Sequence, residues 1–352
     1  MAVRDVIRQR VVMGVCAALI TAWGGVGLVN GLDSGFSGGL YDPSYRVPGV
    51  WPGGLADRSG FRAGDRVISV EGQPVEQLGM ESRWPRSLVP GIGESRRFLV
   101  EREGERIPLD VVFPPPSMAA VSNRVRAGLV GLFFLGCGLW AFLTVETRHA
   151  RMLTHIGLAA GVGASAGLGP HLGSWNGVQG HVSTAASALL LILLLRFFAT
   201  FPASKAVSRS RLAAGVVYGT WGCLVAFLVV ELAVHPALYY TTGEIAGPLA
   251  TGYVLLIAAA VTHTVWKGSR AALLESGMHW VLGGLLLAVA GPVVTPAIAG
   301  GAWAWVQAVP ILALPLSMAL AVRRYSRLSS PNTRTPMMPS TLGTAAPGRR
   351  GR

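Results

Sequence analysis

Seven histidines, three cysteines and one serine in a G-x-S-x-G string are the residues of this chain whose types could do chemistry. A zinc-dependent hydrolase places H-E-x-x-H on one helix, so that two imidazoles bind the metal and the glutamate serves as base. No histidine here is followed by glutamate, and neither His263 nor His279 has a partner four residues on. Cys16, Cys137 and Cys223 all fall inside apolar runs, with no spacing for a disulfide framework or a metal site. The string Gly163-Ala164-Ser165-Ala166-Gly167 has the letters of a nucleophile elbow, but that device needs a strand-to-helix turn. Its small residues sit in the middle of an apolar run, where they let helices approach closely. Arg196, Glu231, His155, His171, His263 and His279 lie towards the ends of such runs, where interfacial hydrogen bonding accounts for them. Glu231 and His171 could also line a shallow pocket. These residues read as a non-enzyme with no metal site and no cofactor.

The elements that carry these residues follow from hydropathy. The chain has 352 residues, 51% hydrophobic and only 13% charged, with a formal charge of +13. Its basic residues have no aromatic-interleaved stripe, so nucleic acid is not an expected partner. An apolar run from Val11 to about Asn30 follows a basic tip, and seven more follow at roughly 125–145, 152–172, 181–201, 212–233, 248–266, 279–298 and 305–322. Each is about long enough for ~30 Å of hydrocarbon. The segments 173–180, 234–247 and 299–304 contain no Lys or Arg, whereas the alternate segments carry Arg148, Arg151, Lys205, Arg209, Arg211, Lys267 and Arg270. The positive-inside bias then puts both termini in the cytoplasm and residues 31–117 outside. That segment holds 12 of the 17 acidic residues. The expected organisation is residues 1–30 as tip and first helix, 31–117 as an extracytoplasmic domain, 118–325 as a seven-helix bundle and 326–352 as a disordered basic tail. The first helix is expected to stay uncleaved, since no small-residue cleavage site follows it.

Within the outside segment, Val50 to Val75 reads VWPGGLADRSGFRAGDRVISVEGQPV. A short helix from Leu55 to Ser59 is expected to end at Gly60. A turn at Gly64-Asp65 then leads into an alternating strand from Arg66 to Val70, closed by a turn at Gly72. Ser95–Val100 and Ile107–Phe113 read as a strand pair about Gly104. Val50, Pro52, Gly53, Ala56, Gly60, Gly64, Asp65, Ile68, Val70, Gly72, Pro74 and Val75 fall on the positions of the bacterial PDZ signature, which this stretch resembles. The resemblance implies an α+β PDZ-like domain that takes an extended peptide as an added strand and receives its carboxylate on a loop of backbone N–H groups. Gly35, Phe36, Ser37, Gly38 and Gly39 are the only glycine-rich candidate for that loop, and Met80 and Trp84 are candidate groove linings. Pro43 and Pro48 interrupt the strand that should follow the loop, so a shortened or closed groove is expected.

One helix, an outside domain, seven helices and a basic exit form an order that resembles the sensory half of bacterial multi-helix histidine kinases. The strings Phe197 to Pro202, Glu275 to Gly284 and Leu314 to Tyr325 resemble three conserved stretches of that family. No phosphoacceptor helix or nucleotide-binding motif accompanies them, so kinase activity is not implied. The fold class expected is therefore a multi-pass α-helical membrane protein with eight transmembrane helices. The expected function is a receptor or accessory module of the bacterial inner membrane. It would bind a peptide or envelope protein outside and relay its state to a separate cytoplasmic signalling protein. The alternative is a docking or assembly factor with no signalling role.

Overall fold

The computed structural model describes residues 3–33, 45–47, 49–50, 52–76, 90–168, 176–202, 210–234, 239–299 and 308–328. Helix α1 (Val3–Asp33) leads into a small α+β domain of α2 (Leu55–Arg58), β1 (Arg66–Val70), β2 (Gln73–Pro74), β3 (Ser95–Arg102) and β4 (Glu105–Val112). The helical part follows as α3 (Met118–Thr144), α4 (Arg148–Leu168), α5 (Asn176–Thr200), α6 (Arg211–Val234), α7 (Tyr239–Lys267), α8 (Arg270–Glu275), α9 (Met278–Ala299) and α10 (Ala308–Leu328). Among the described residues, α1, α3, α5 and α7 are long and apolar enough to cross a membrane. Helices α6 and α9 carry shorter apolar stretches, Ala214–Val230 and Met278–Ala290. The short helix α8, capped by the Ser269 hydroxyl on the Ala272 N–H, was not foreseen in the sequence.

The sheet of the small domain runs β2-β1-β3-β4, all antiparallel. A register shift between Val67 and Ser69 breaks the simple alternation of β1. The bulge lets Val67 and Val70, three residues apart, both point into the core. There they meet Val47, Leu55, Phe61, Phe98, Val100 and Val111. Two hairpins close the sheet, and both turn on a Glu-Gly pair. Glu71 and Gly72 have φ of 50° and 75°, and Glu103 and Gly104 have 53° and 86°. Two consecutive positive φ values give a turn whose twist matches that of the flanking strands. That tight turn extends the β3–β4 ladder to Arg102↔Glu105, beyond the shorter strands read from the sequence. Glu71 is tied down, because its carboxylate accepts the Arg97 N–H at 2.5 Å and its own N–H donates to the Arg97 carbonyl at 2.8 Å. Among the described residues no such carboxylate contact relieves Glu103.

The bundle is built on backbone proximity. A Cβ added at Gly138 of α3 would lie 2.7 Å from the Leu153 carbonyl oxygen, and one at Gly157 of α4 would lie 2.6 Å from that of Phe134. The two glycines thus face each other's helix and let α3 and α4 nearly touch. The Thr154 hydroxyl bridges this seam, donating to the carbonyls of Gly138 and Ala150 at 3.0 Å each. Helix α4 also packs on α1 and α5, and α10 joins α3 to α9. Phe197, Phe198, Phe201, Leu153, Ile156, Met278 and Met318 fill the shared core.

Two outcomes test these readings. Gly157→Leu drives a side chain into the α3 backbone and is expected to destabilise the bundle by on the order of 3 kcal/mol, seen as a lowered melting midpoint in detergent. Glu103→Asn, which tolerates positive φ better, is expected to stabilise the small domain by about 0.5 kcal/mol, read as slower amide exchange in β3 and β4.

Candidate functional site

Asp65 is the electrostatic centre of the small domain. It stands just before β1, and the register Arg66↔Glu101 sets it beside Arg102 at the end of β3. Its carboxylate is 1% exposed. Arg102 grips it with two parallel bonds, Nε to Oδ1 at 2.8 Å and a terminal nitrogen to Oδ2 at 2.7 Å. The Arg62 backbone N–H adds a third bond at 2.7 Å, and Arg102 also donates to the Gly60 carbonyl at 2.8 Å. Burial works against the charge, but these bonds and the nearby positive charges of Arg102 and Arg62 outweigh it. The carboxyl is held below the usual carboxylate range.

Around this pair lie the other signature residues. Val50 packs against the domain core, Pro52 occupies an exposed turn, and Gly60, Gly64 and Gly72 take φ of 82°, 90° and 75°. Val67 N–H donates to Tyr45 C=O at 2.7 Å, and Val47 N–H donates to Asp65 C=O at 2.8 Å. Residues 45–47 therefore lie along the start of β1, on the side that β2 occupies further on. Tyr45 has φ of 60°, a costly conformation for a bulky residue, and it bends the chain where it joins this edge. Gly35, Phe36, Ser37, Gly38, Gly39, Met80 and Trp84, the candidate groove residues, lie outside the described residues.

In the bundle, the Ser165 hydroxyl donates to the Ile20 carbonyl of α1 at 3.1 Å, from the last turn of α4 against Gly24. It is a packing contact between α4 and α1. A cavity of about 220 Å³ lies between α5, α6 and α7, lined by Ser187, Leu191, Trp221, Leu224 and Tyr253. The Tyr253 hydroxyl and Trp221 indole on its wall donate to the carbonyls of Val217 and Ala185 at 3.1 Å.

The PDZ domain family profile matches residues 46–82, so the chain carries a PDZ domain, a protein-binding module, within a membrane protein. Two curated relatives, from Brucella suis and Brucella melitensis, are each 33% identical over 91 residues and carry the provisional name of zinc metalloprotease. That similarity covers 24% of this chain and 22% of each relative, so the chain spans less than a quarter of their length. These relatives correct the expectation of a chain without enzymatic activity, because proteins named as enzymes are similar to it over that stretch. Neither match supports the resemblance to kinase sensors or the relay to a cytoplasmic signalling protein. The zinc of the relatives' name finds no fit in the residues at hand. The chain has no His-Glu pair, and among the described residues no three His, Cys, Asp or Glu side chains gather closely enough to hold a metal.

Asp65→Asn is expected to cost about 2–3 kcal/mol of domain stability, since it removes the charge and leaves Arg102 unpaired. A carboxyl whose folded value lies below its unfolded one of about 3.9 stabilises above that pH. The contribution is lost as pH falls through the folded value. Thermal unfolding from pH 7 downward should therefore show an acid limb in the parent domain that is weakened in the Asn variant.

Proposed function

We propose that this chain spans a bacterial cytoplasmic membrane eight times, with both termini inside, and displays its PDZ domain outside to capture an extended peptide or an exposed segment of an envelope protein. The observation that carries this reading is the PDZ frame itself. It has an antiparallel sheet in which the start of β1, beyond the reach of the short β2, already accepts the segment 45–47 by backbone hydrogen bonds. Strand addition of this kind gives affinity through the main chain and specificity through alternate side chains. Support for the orientation comes from the loop charges, since the alternate connections lack Lys and Arg altogether. Among the described residues α1, α3, α5 and α7 are long and apolar enough for a crossing, and the remaining four apolar runs of the sequence supply the others in this reading. Holding an envelope protein at the membrane surface is the simplest task that such a module performs.

A second reading rests on the curated relatives. Capture would then be the first step of peptide-bond hydrolysis at the membrane, with the PDZ domain selecting the chain to be cut. The unmatched zinc pattern leaves this second reading without a metal step.

A photo-crosslinking amino acid at Arg46, exposed beside the start of β1, tests the first reading in living cells. Envelope proteins or secreted peptides are expected among the captured products, and capture of cytoplasmic proteins alone would reverse the orientation and defeat the proposal. Incubating a captured protein with the reconstituted chain, with and without a chelator, then decides the second reading by the presence or absence of cleavage fragments.

A further inference from the structure

At one end of the bundle the chain reverses from α3 to α4 over residues 145–147, and the last turns of α10 come up beside this bend. Between them opens a cleft of about 500 Å³ lined by Thr144, Glu146, Thr147, Arg323, Ser326 and Arg327. Its depth along the bundle is set by hydropathy. Thr144 closes the membrane-crossing segment Val121–Thr144, and Arg10, whose terminal nitrogen meets Glu146 at 2.9 Å, stands near the start of Ile7–Val29. The cleft therefore lies where hydrocarbon gives way to the headgroup layer.

Its chemistry is one-sided. Arg323 and Arg327 are one helical turn apart on α10 and share a face. The Arg323 guanidinium carbon lies over the Trp140 ring, 5.2 Å from its centroid, a cation–π contact that helps hold the side chain at the cleft. Of the three hydroxyls in the lining, those of Thr144 and Ser326 donate to the Trp140 and Arg323 carbonyls at 2.8 Å each, and that of Thr147 accepts the Ala150 N–H at 3.2 Å. The one carboxylate in the lining, Glu146, is countered by Arg10. Guanidinium donors around a net positive space match a phosphate oxyanion, and basic pockets between membrane helices are suited to lipid headgroups.

We propose that this cleft binds a phosphate group, carried by the headgroup of an anionic phospholipid or present as free phosphate. Anchored there, the anion joins the α3–α4 bend to the end of α10, next to the ring contact of His149 with Tyr325.

The test uses the full chain in a neutral detergent and native mass spectrometry with dioleoyl-phosphatidylglycerol, dioleoyl-phosphatidylcholine and inorganic phosphate as separate probes. The double variant Arg323→Gln with Arg327→Gln is expected to lose about tenfold or more in phosphatidylglycerol binding while phosphatidylcholine binding stays unchanged. Loss of phosphate binding without any preference for phosphatidylglycerol would support the site and identify free phosphate as its source. Equal binding by parent and double variant, for both anionic probes, would overturn the proposal. Glu146→Gln keeps the test sharp should the double variant fold poorly. Removing the carboxylate and releasing Arg10 should tighten anion binding several-fold, and an unchanged affinity would also overturn the proposal.

Discussion

A carboxylate with almost no solvent around it survives only if its environment replaces the water, and in this protein Asp65 is that carboxylate. Arg102 and the Arg62 backbone N–H supply three short bonds to it. The cost of burying the charge is thereby offset, and the geometry is fixed. One end of the arrangement is the turn that launches β1, and the other is the last residue of β3. Since β1 and β3 are the two inner strands of the sheet, the pair sets their register where they meet. The Val67–Val100 layer is shielded from solvent directly behind it. Shifting β3 by one residue would turn Phe98 and Val100 outward and strand the buried charge.

The bundle solves a different problem, because apolar surface gains little by burial when the solvent is itself hydrocarbon. Close fit and hydrogen bonding carry its cohesion. Gly138 and Gly157 allow the α3 and α4 backbones to meet, the Thr154 hydroxyl bridges them, and Ser165 performs the same task between α4 and α1. On α9, a Cβ at Gly284 would fall 2.8 Å from the Ala313 carbonyl of α10, so this seam obeys the same rule. Helix α4 sits at the centre of this arrangement, with α1, α3 and α5 all packed on it.

How far a sequence reveals such a structure depends on how local the determining physics is. Gly60, Gly64 and Gly72 announce turns because positive φ is a property of one residue, and the run Arg66–Val70 announces a strand because alternation is a property of five. The bulge within that strand was hidden, since it arises from pairing with β3 and not from β1 alone. Arg102, 37 residues away from Asp65, was hidden for the same reason. Asp65 could be recognised as part of a signature, but its partner emerges only when the strands are laid side by side. The string around Ser165 shows the converse error that letters invite, for the same residues that spell a catalytic elbow form a helix–helix seam here. Whole-chain function was less legible still. The kinase-sensor resemblance rested on the order of the elements and three short strings, which the general demands of membrane helices can produce, and the curated relatives bear a protease name instead.

The small domain is inserted between α1 and α3, and these two helices pack against each other and against α4. The ion pair between Arg10 and Glu146 also ties the far end of α1 to the bend that follows α3. Both tethers of the domain therefore grow from one clamped three-helix unit. A load applied to the domain is returned to a single rigid footing as a couple, and it cannot pull one helix without levering the other.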